Sequence, residues 1–136
     1  MTQYLADTNI LGYLSRRASP HLVDRMRAAL KAREVAISVV TRAETRYGQR
    51  LLNENGRRQA IIDAILQELP VLNWTSEAAD CYGDLAATLR HAGRPISVMD
   101  TMIAAHALVS GLILVTHNIK HFENIDGLVI EDWTLA

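Results

Sequence analysis

Short apolar runs in which hydrophobic and polar residues do not alternate constrain the fold of this chain most strongly. Residues 35–40 form the clearest run, rich in β-branched side chains, and residues 4–6 and 112–115 have the same character. Strands that are apolar at successive positions are buried on both faces, as in a parallel sheet covered by helices. Residues 71–73 and 128–130 predict two further short strands, the first at an edge of the sheet.

The segments between these runs have the spacing of amphipathic helices, and in the fourth of them Ile61, Ile65 and Leu69 are expected to share the buried face. Alternating strands and helices predict an α/β fold with a short parallel sheet between two helical layers. The 136 residues are 49% hydrophobic, which is enough for a single domain over residues 1–136. We predict helices from about residue 8 and at residues 21–33, 41–52, 58–69, 76–91 and 97–110.

Composition excludes several classes of protein. The single cysteine, Cys81, cannot form an intramolecular disulfide, and no cysteine pair is present for a structural zinc site. Aromatic residues make up only 5%, which argues against a sheet that stacks RNA bases on its rings. The longest apolar stretch, residues 102–115, is interrupted by polar residues and glycine, and the N-terminus lacks a signal peptide. We therefore expect a cytoplasmic protein without a membrane partner.

Charge is unevenly distributed, although the net charge is only −1. Residues 1–58 contain eleven basic and five acidic residues, a net charge of +6, whereas residues 59–136 contain three and ten, a net charge of −7. The two halves are either solvated faces that attract one another, or a basic flank for a polyanion beside an acidic site. Both interpretations stay open at this point.

Polar residues cluster where the predicted strands end. Asp7 directly follows the first strand, Glu44 lies just past the second in the expected first turn of its helix, and Asn118 follows the fourth. Asp100 lies in the first turn of the helix that leads into that fourth strand. Because parallel strands end at one edge of a sheet, and open α/β sheets bind ligands there, we expect these four side chains to converge.

Each acidic residue also has a purely structural interpretation. Asp7 could cap a helix, Thr41 and Glu44 have the spacing of a capping box, and Ser97 and Asp100 have nearly the same spacing. Three carboxylates at one edge, however, repel each other unless they are protonated or bridged by a cation. Carboxylate and amide oxygens without cysteine are the ligands that Mg²⁺ or Mn²⁺ selects.

Other catalytic chemistries find little support. His117 and His121 are four residues apart, but the glutamate of a zinc-protease motif does not follow the first, and we predict no zinc site. His106 lies among alanines and is expected to pack inside its helix. No phosphate-binding glycine loop and no serine or cysteine nucleophile motif occurs.

Six short motifs follow one another along the chain: DTNI at 7–10, TRAET at 41–45, GRPI at 93–96, MDTMIAAHA at 99–107, ILVTHN at 113–118 and GLVIEDW at 127–133. In this order and spacing, from residue 3 to residue 133, the chain resembles the PIN-domain ribonucleases of the VapC toxin type. The resemblance implies a Rossmann-like α/β/α sandwich, RNA cleavage dependent on Mg²⁺ or Mn²⁺, a small VapB-type antitoxin and a homodimer.

The resemblance also implies roles for individual residues. Asp7, Glu44 and Asp100 match the three acidic positions of the PIN site, where they are expected to hold the metal. Asn118 stands where many PIN nucleases have a fourth acid, which removes one negative charge from the site and leaves open whether one metal or two are held. We expect outer-shell roles for Thr8, Asn9 and Thr116 in orienting ligands or water, and substrate-phosphate contacts for Arg94, Arg42 and Arg46.

The sequence is therefore interpreted as a toxin endoribonuclease that hydrolyses RNA, with tRNA as the expected substrate. An alternative is a VapB-bound component of a DNA-binding repressor complex with a weak or silent nuclease, in which operator DNA is contacted only through the antitoxin. A third interpretation is a metal-dependent phosphatase of small substrates.

Overall fold

A computed structural model describes residues 1–52 and 56–135 and confirms an α/β fold with a parallel sheet. The expected single domain also includes residues 53–55 and 136, which lie outside the described residues. The strands pair in the order β3-β2-β1-β4-β5, and each pairing is parallel. They are β1 (Tyr4–Ala6), β2 (Val35–Ser38), β3 (Val71–Leu72), β4 (Ile113–Val115) and β5 (Ile130–Glu131).

Helices connect the strands, and the ends of several are fixed by side chains that accept backbone N–H groups. Ser19 caps α2 (Pro20–Lys31), Thr75 caps α5 (Ser76–His91) and Ser97 caps α6 (Val98–Ser110) in this way. Gly111 ends α6 in the left-handed conformation with φ 65°. The helices of the described chain are α1 (Thr8–Ser15), α2 (Pro20–Lys31), α3 (Val39–Leu51), α4 (Arg57–Glu68), α5 (Ser76–His91), α6 (Val98–Ser110) and α7 (Ile119–Phe122).

Each face of the sheet has its own hydrophobic core, which gives the predicted three layers. Ala6, Ile37 and Val115 face the helices α1, α2 and α4. Their neighbours Leu5 and Leu114 face α5, α6 and α7 on the opposite side. Because side chains alternate along a strand, a three-residue strand can serve both cores only if it is apolar throughout. Among the described residues, no helix is both long and apolar enough to cross a membrane.

The boundary between β2 and α3 differs from the prediction. The predicted strand at residues 35–40 ends at Ser38, because the Ser38 hydroxyl accepts the backbone N–H of Val40 at 3.0 Å and starts the helix there. Thr41 is consequently inside the helix and buried, and the capping box of Thr41 and Glu44 is wrong. Glu44 lies in the second turn of α3 and not in the first.

Two smaller predictions also need correction. On α4 the buried side chains are Ile62 and Leu66, with Leu69 just past the helix, whereas Ile61 and Ile65 are half-buried. The apolar face is therefore rotated by about one residue from the one predicted. The last strand comprises Ile130–Glu131 instead of residues 128–130. Its register is set by pairing with β4, which the local sequence does not encode.

Candidate active site

The strand order places the topological switch point of the sheet, where the chain changes the direction in which it adds strands, between β1 and β4. From β1 the chain passes to β2 and β3 on one side, and then returns across β1 to form β4 and β5 on the other. In open parallel sheets such a switch point leaves a crevice at the carboxyl ends of the two strands. Asp7 follows β1, and Thr116 and Asn118 follow β4, so the crevice is lined by residues that the sequence pattern predicts for the site.

Asp7 is held rigidly in this crevice. It caps α1, because its Oδ1 accepts the backbone N–H of Ile10 at 2.8 Å, and it is only 1% exposed. Its own N–H donates to the carbonyl of Val115, and the Thr116 hydroxyl donates to its carboxylate. The capping interpretation of Asp7 is thus correct, and it is compatible with a role in binding because the second carboxylate oxygen is not used by the cap.

Glu44 and Asp100 reach the same crevice from α3 and α6. Thr8 fixes Glu44 by donating its hydroxyl to Oε1 at 2.6 Å, which joins the first turn of α1 to α3. The backbone N–H of Asp100 donates to the capping hydroxyl of Ser97 at 3.1 Å. Asp100 Oδ2 lies 3.2 Å from Nδ1 of His121, on the short helix α7.

Electrostatics shows that the three carboxylates act on one another. The pKa of Asp7 is raised from 3.8 to about 7. Burial is the largest cause, the charges of Asp100 and Glu44 act in the same direction, and the hydrogen bonds from Thr116 and Ile10 oppose them. Burial and the charge of Asp100 likewise raise the pKa of Glu44, while the Thr8 hydroxyl lowers it. Asp7, Glu44 and Asp100 therefore lie near enough for their charges to interact, and this is unfavourable for the chain when all three are ionised.

A divalent cation fits this crevice by the chemistry of its donors. Asn9, in the first turn of α1 next to Thr8, has a buried Oδ1 without a hydrogen-bond partner in the described chain. Carboxylate and amide oxygens suit a hard cation such as Mg²⁺. Among the described residues, no group of three His, Cys, Asp or Glu side chains is arranged to hold one ion.

Asn118 occupies the position that follows β4 and starts α7. Its backbone N–H donates to the Thr116 hydroxyl at 3.0 Å, and this hydroxyl in turn donates to Asp7. Its side chain makes no capping bond to the helix. Asn118 is thus two hydrogen bonds from Asp7 through Thr116.

The three predicted phosphate-binding arginines have different surroundings. Arg94 is exposed on the loop before α6. Arg42 donates to the carbonyl of Leu66 at 3.3 Å, and Arg46 forms an ion pair with Asp63 at 2.6 Å. The last two therefore join α3 to α4. These contacts do not support a phosphate-binding role for Arg42 and Arg46, which stays a prediction.

Sequence reasoning missed two contacts of the site. The sequence suggests His121 only as a zinc ligand, but in the fold it contacts Asp100, while His117 contacts Asp132 at 3.0 Å. The two histidines thus bind different carboxylates. The four-residue helix α7 that positions His121 is too short to show a hydrophobic period.

The chain matches the PIN domain family over residues 4–128. It is 33% identical over 133 residues to the tRNA(fMet)-specific endonuclease VapC of Salmonella typhimurium, covering 98% of this chain and 99% of the relative. It is 34% identical over 133 residues to ribonuclease VapC2 of Haemophilus influenzae, with 98% and 99% coverage.

Solved structures give the same result for the fold. The DNA-bound VapBC structure from Salmonella typhimurium contains a chain with a TM-score of 0.89 and 32% identity, covering 98% of this chain and 99% of that one. The structure of VapBC2 from Rickettsia felis bound to a fragment of promoter DNA contains one with a TM-score of 0.88 and 29% identity, covering 97% and 99%.

Proposed function

This chain belongs to the PIN-domain family, among its VapC endoribonuclease toxins, and from that membership we propose that it hydrolyses RNA phosphodiester bonds in a crevice lined by Asp7, Glu44 and Asp100. The observation that carries the proposal is that the charges of Asp100 and Glu44 raise the pKa of Asp7 at the switch point of the sheet, and that the charge of Asp100 also raises the pKa of Glu44. A tRNA substrate is supported by the name of the Salmonella relative. We also propose that residues 1–136 form a single domain.

The proposed cofactor is Mg²⁺ or Mn²⁺, held by Asp7 and Asp100, with Glu44 binding directly or through water. When bound, the ion supplies an activated water at neutral pH and neutralises charge on the phosphodiester. The hydrogen bond from Thr8 fixes the Glu44 carboxylate, and the one from Thr116 fixes that of Asp7. In the proposed step a water oxygen bonds to phosphorus in line as the bond to the 3′-oxygen breaks. One proton of the water ends on the departing 3′-oxygen, which leaves a 5′-phosphate and a 3′-hydroxyl.

A cleavage assay on total tRNA tests this function. Wild-type protein is expected to cut the RNA with Mg²⁺ or Mn²⁺, and sequencing of the new 5′-ends identifies the substrate. Asp7→Asn keeps an acceptor for the Ile10 N–H and should fold, but its activity is expected to fall by more than about 100-fold, which is the upper cost of removing an outer-shell partner. Full activity in excess EDTA, or equal activity of Asp7→Asn, contradicts the proposal, and a 2′,3′-cyclic phosphate product contradicts the mechanism.

A VapB-type antitoxin is the proposed partner, with its C-terminal segment across the crevice and a basic side chain beside the carboxylates. Two of the related structures are VapBC complexes, and an added cation relieves the repulsion within the acidic cluster. The co-purified complex is expected to be inactive on RNA until the partner is degraded. A complex that cleaves RNA as fast as the free protein excludes this mode of control.

A homodimer and a repressor role complete the proposal. On α3 the side chains of Tyr47 and Leu51 are 68% and 65% exposed, which supplies an apolar surface for a second copy. Light scattering tests the dimer.

Both related VapBC structures contain DNA, which favours repression by the complex as a second function, with operator DNA contacted through the antitoxin. DNA binding by the complex but not by the free chain tests the repressor role.

A further inference from the structure

A cavity of about 180 Å³ opens beside Glu44, between the helices α1, α3 and α4. Thr8 and Glu44, which belong to the carboxylate crevice, form one part of its lining, and Leu11 and Ile62 form apolar walls. The cavity and the crevice therefore share two residues, and a molecule in one adjoins a molecule in the other.

The polar lining of the cavity includes a hydroxyl without a partner. Thr45 Oγ1 is inaccessible to solvent and makes no hydrogen bond within the described chain. The amide of Gln49, also in the lining, is fully used, because it donates to Asp63 and to the Gln59 carbonyl and accepts from Arg46. Leaving a buried hydroxyl unbonded costs free energy, so a ligand whose polar edge reached the Thr45 hydroxyl would gain by bonding to it.

Gly48 contributes to the lining of the cavity. It lies inside α3, where glycine weakens a helix, yet no atom lies within 4 Å of the position that a Cβ would take. Neither close packing nor a positive φ therefore explains glycine at this position. A side chain at residue 48 would start in open space at the lining of the cavity.

We propose that this cavity receives one unpaired RNA base next to the cleaved phosphodiester and thereby sets the base preference of the enzyme. A base has flat apolar faces, which suit Leu11 and Ile62, and a hydrogen-bonding edge, which suits the Thr45 hydroxyl. The shared residues Thr8 and Glu44 place this base beside the carboxylates that act on the phosphate. The inference rests on the proposed ribonuclease function and names the part of the substrate that its site reads.

The test uses a pool of random-sequence single-stranded RNA, whose cleavage ends are sequenced to give the base preference at each position around the cut. The principal variant is Gly48→Leu, which adds a bulky side chain to a residue of the cavity lining. Gly83→Leu is the matched control, because Gly83 also lies exposed inside a helix with no atom within 4 Å of its Cβ position. Both replacements raise helix propensity equally, but only residue 48 adjoins the cavity.

Gly48→Leu is expected to lower kcat/KM on the pool at least tenfold and to flatten the preference at one position beside the cut, while Gly83→Leu behaves as wild type. Thr45→Val, which keeps the shape and removes the hydroxyl, is expected to reduce discrimination at that same position about tenfold. The inference is overturned if both Gly48→Leu and Thr45→Val retain the wild-type preference. If Gly48→Leu fails to fold, Thr45→Val decides alone.

Failure of the inference and failure of the function are distinguishable in this experiment. Wild-type protein that cleaves the pool with no base preference beside the cut overturns the base cavity but leaves the ribonuclease function intact. Wild-type protein that cleaves neither the pool nor tRNA with Mg²⁺ or Mn²⁺ contradicts the function itself.

Discussion

The hydroxyl of Ser38 lies 2.8 Å from Nδ1 of the buried His106, and it also accepts the N–H that starts α3. The His106 ring makes a further hydrogen bond to the backbone of Asn73, just past β3. Because burial lowers its pKa, the ring is neutral, and one nitrogen accepts from Ser38 while the other donates to Asn73. This chain of bonds links α6, which carries Asp100, to the start of α3, which carries Glu44.

Ser38→Ala is expected to destabilise the protein by about 2–3 kcal/mol, because it removes a helix cap and leaves a buried ring nitrogen unpaired. Denaturant unfolding at pH 7.5 measures the loss, with Ser97→Ala as a control that removes only a cap. Equal losses for the two variants would show that the hydrogen bond between Ser38 and His106 adds no stability.

The lowered pKa of His106 makes the free energy of unfolding depend on pH. The stability that this residue contributes is expected to be present above pH 6.5 and to be lost as the pH falls below it.

Asp7 has the opposite pH dependence. Its pKa of about 7 in the folded chain exceeds the ordinary value of 3.8, so the folded chain binds the extra proton and loses stability as the pH rises through this window. At about 1.4 kcal/mol per pKa unit, the stability of Asp7→Asn relative to wild type should increase by about 2–3 kcal/mol between pH 5 and pH 8 in EDTA. Unfolding curves at the two pH values measure this difference, and a constant difference would contradict the shifted pKa.

Divalent metal is expected to reverse that loss. Mg²⁺ or Mn²⁺ at about 100 times its dissociation constant stabilises the folded state by about 2.7 kcal/mol. The melting temperature of wild-type protein at pH 8 should therefore rise when metal is added and fall again with EDTA. This measurement does not depend on RNA cleavage. Potassium at matched ionic strength serves as the control, and a similar rise in Asp7→Asn would place the metal elsewhere.

Thr8 is expected to position Glu44 and not to touch the substrate phosphate itself. Thr8→Val removes the hydroxyl at 2.6 Å from Glu44 and should reduce cleavage about 10- to 100-fold, whereas Thr8→Ser restores it. Because this hydrogen bond lowers the Glu44 pKa, its loss should also move the acidic limb of the pH–rate profile to higher pH. An unchanged profile in Thr8→Val would limit the residue to a structural role.

Arg94 is the remaining predicted phosphate ligand that is exposed. Arg94→Glu is expected to raise KM for RNA and to reduce the slope of log affinity against log salt by about 1, because one phosphate contact is lost. Arg90→Glu, a charge reversal at another exposed arginine near the end of α5, is the control. If both variants raise KM equally, general charge accounts for binding and Arg94 has no special contact.

The sequence by itself determined the alternation of strands and helices and the residues that gather at the sheet edge. A strand that serves two cores must be apolar throughout, and a parallel sheet brings its strand ends together, so Tyr4–Ala6 and Asp7 were recognisable from local pattern alone. Tertiary structure decided what each group touches. The contact of Ser38 with His106, the bond from Thr8 to Glu44 and the pairing of Arg46 with Asp63 join atoms that are 17 to 68 residues apart in sequence. The same holds for the pKa of Asp7, because desolvation and neighbouring charge exist only once the chain has folded around it.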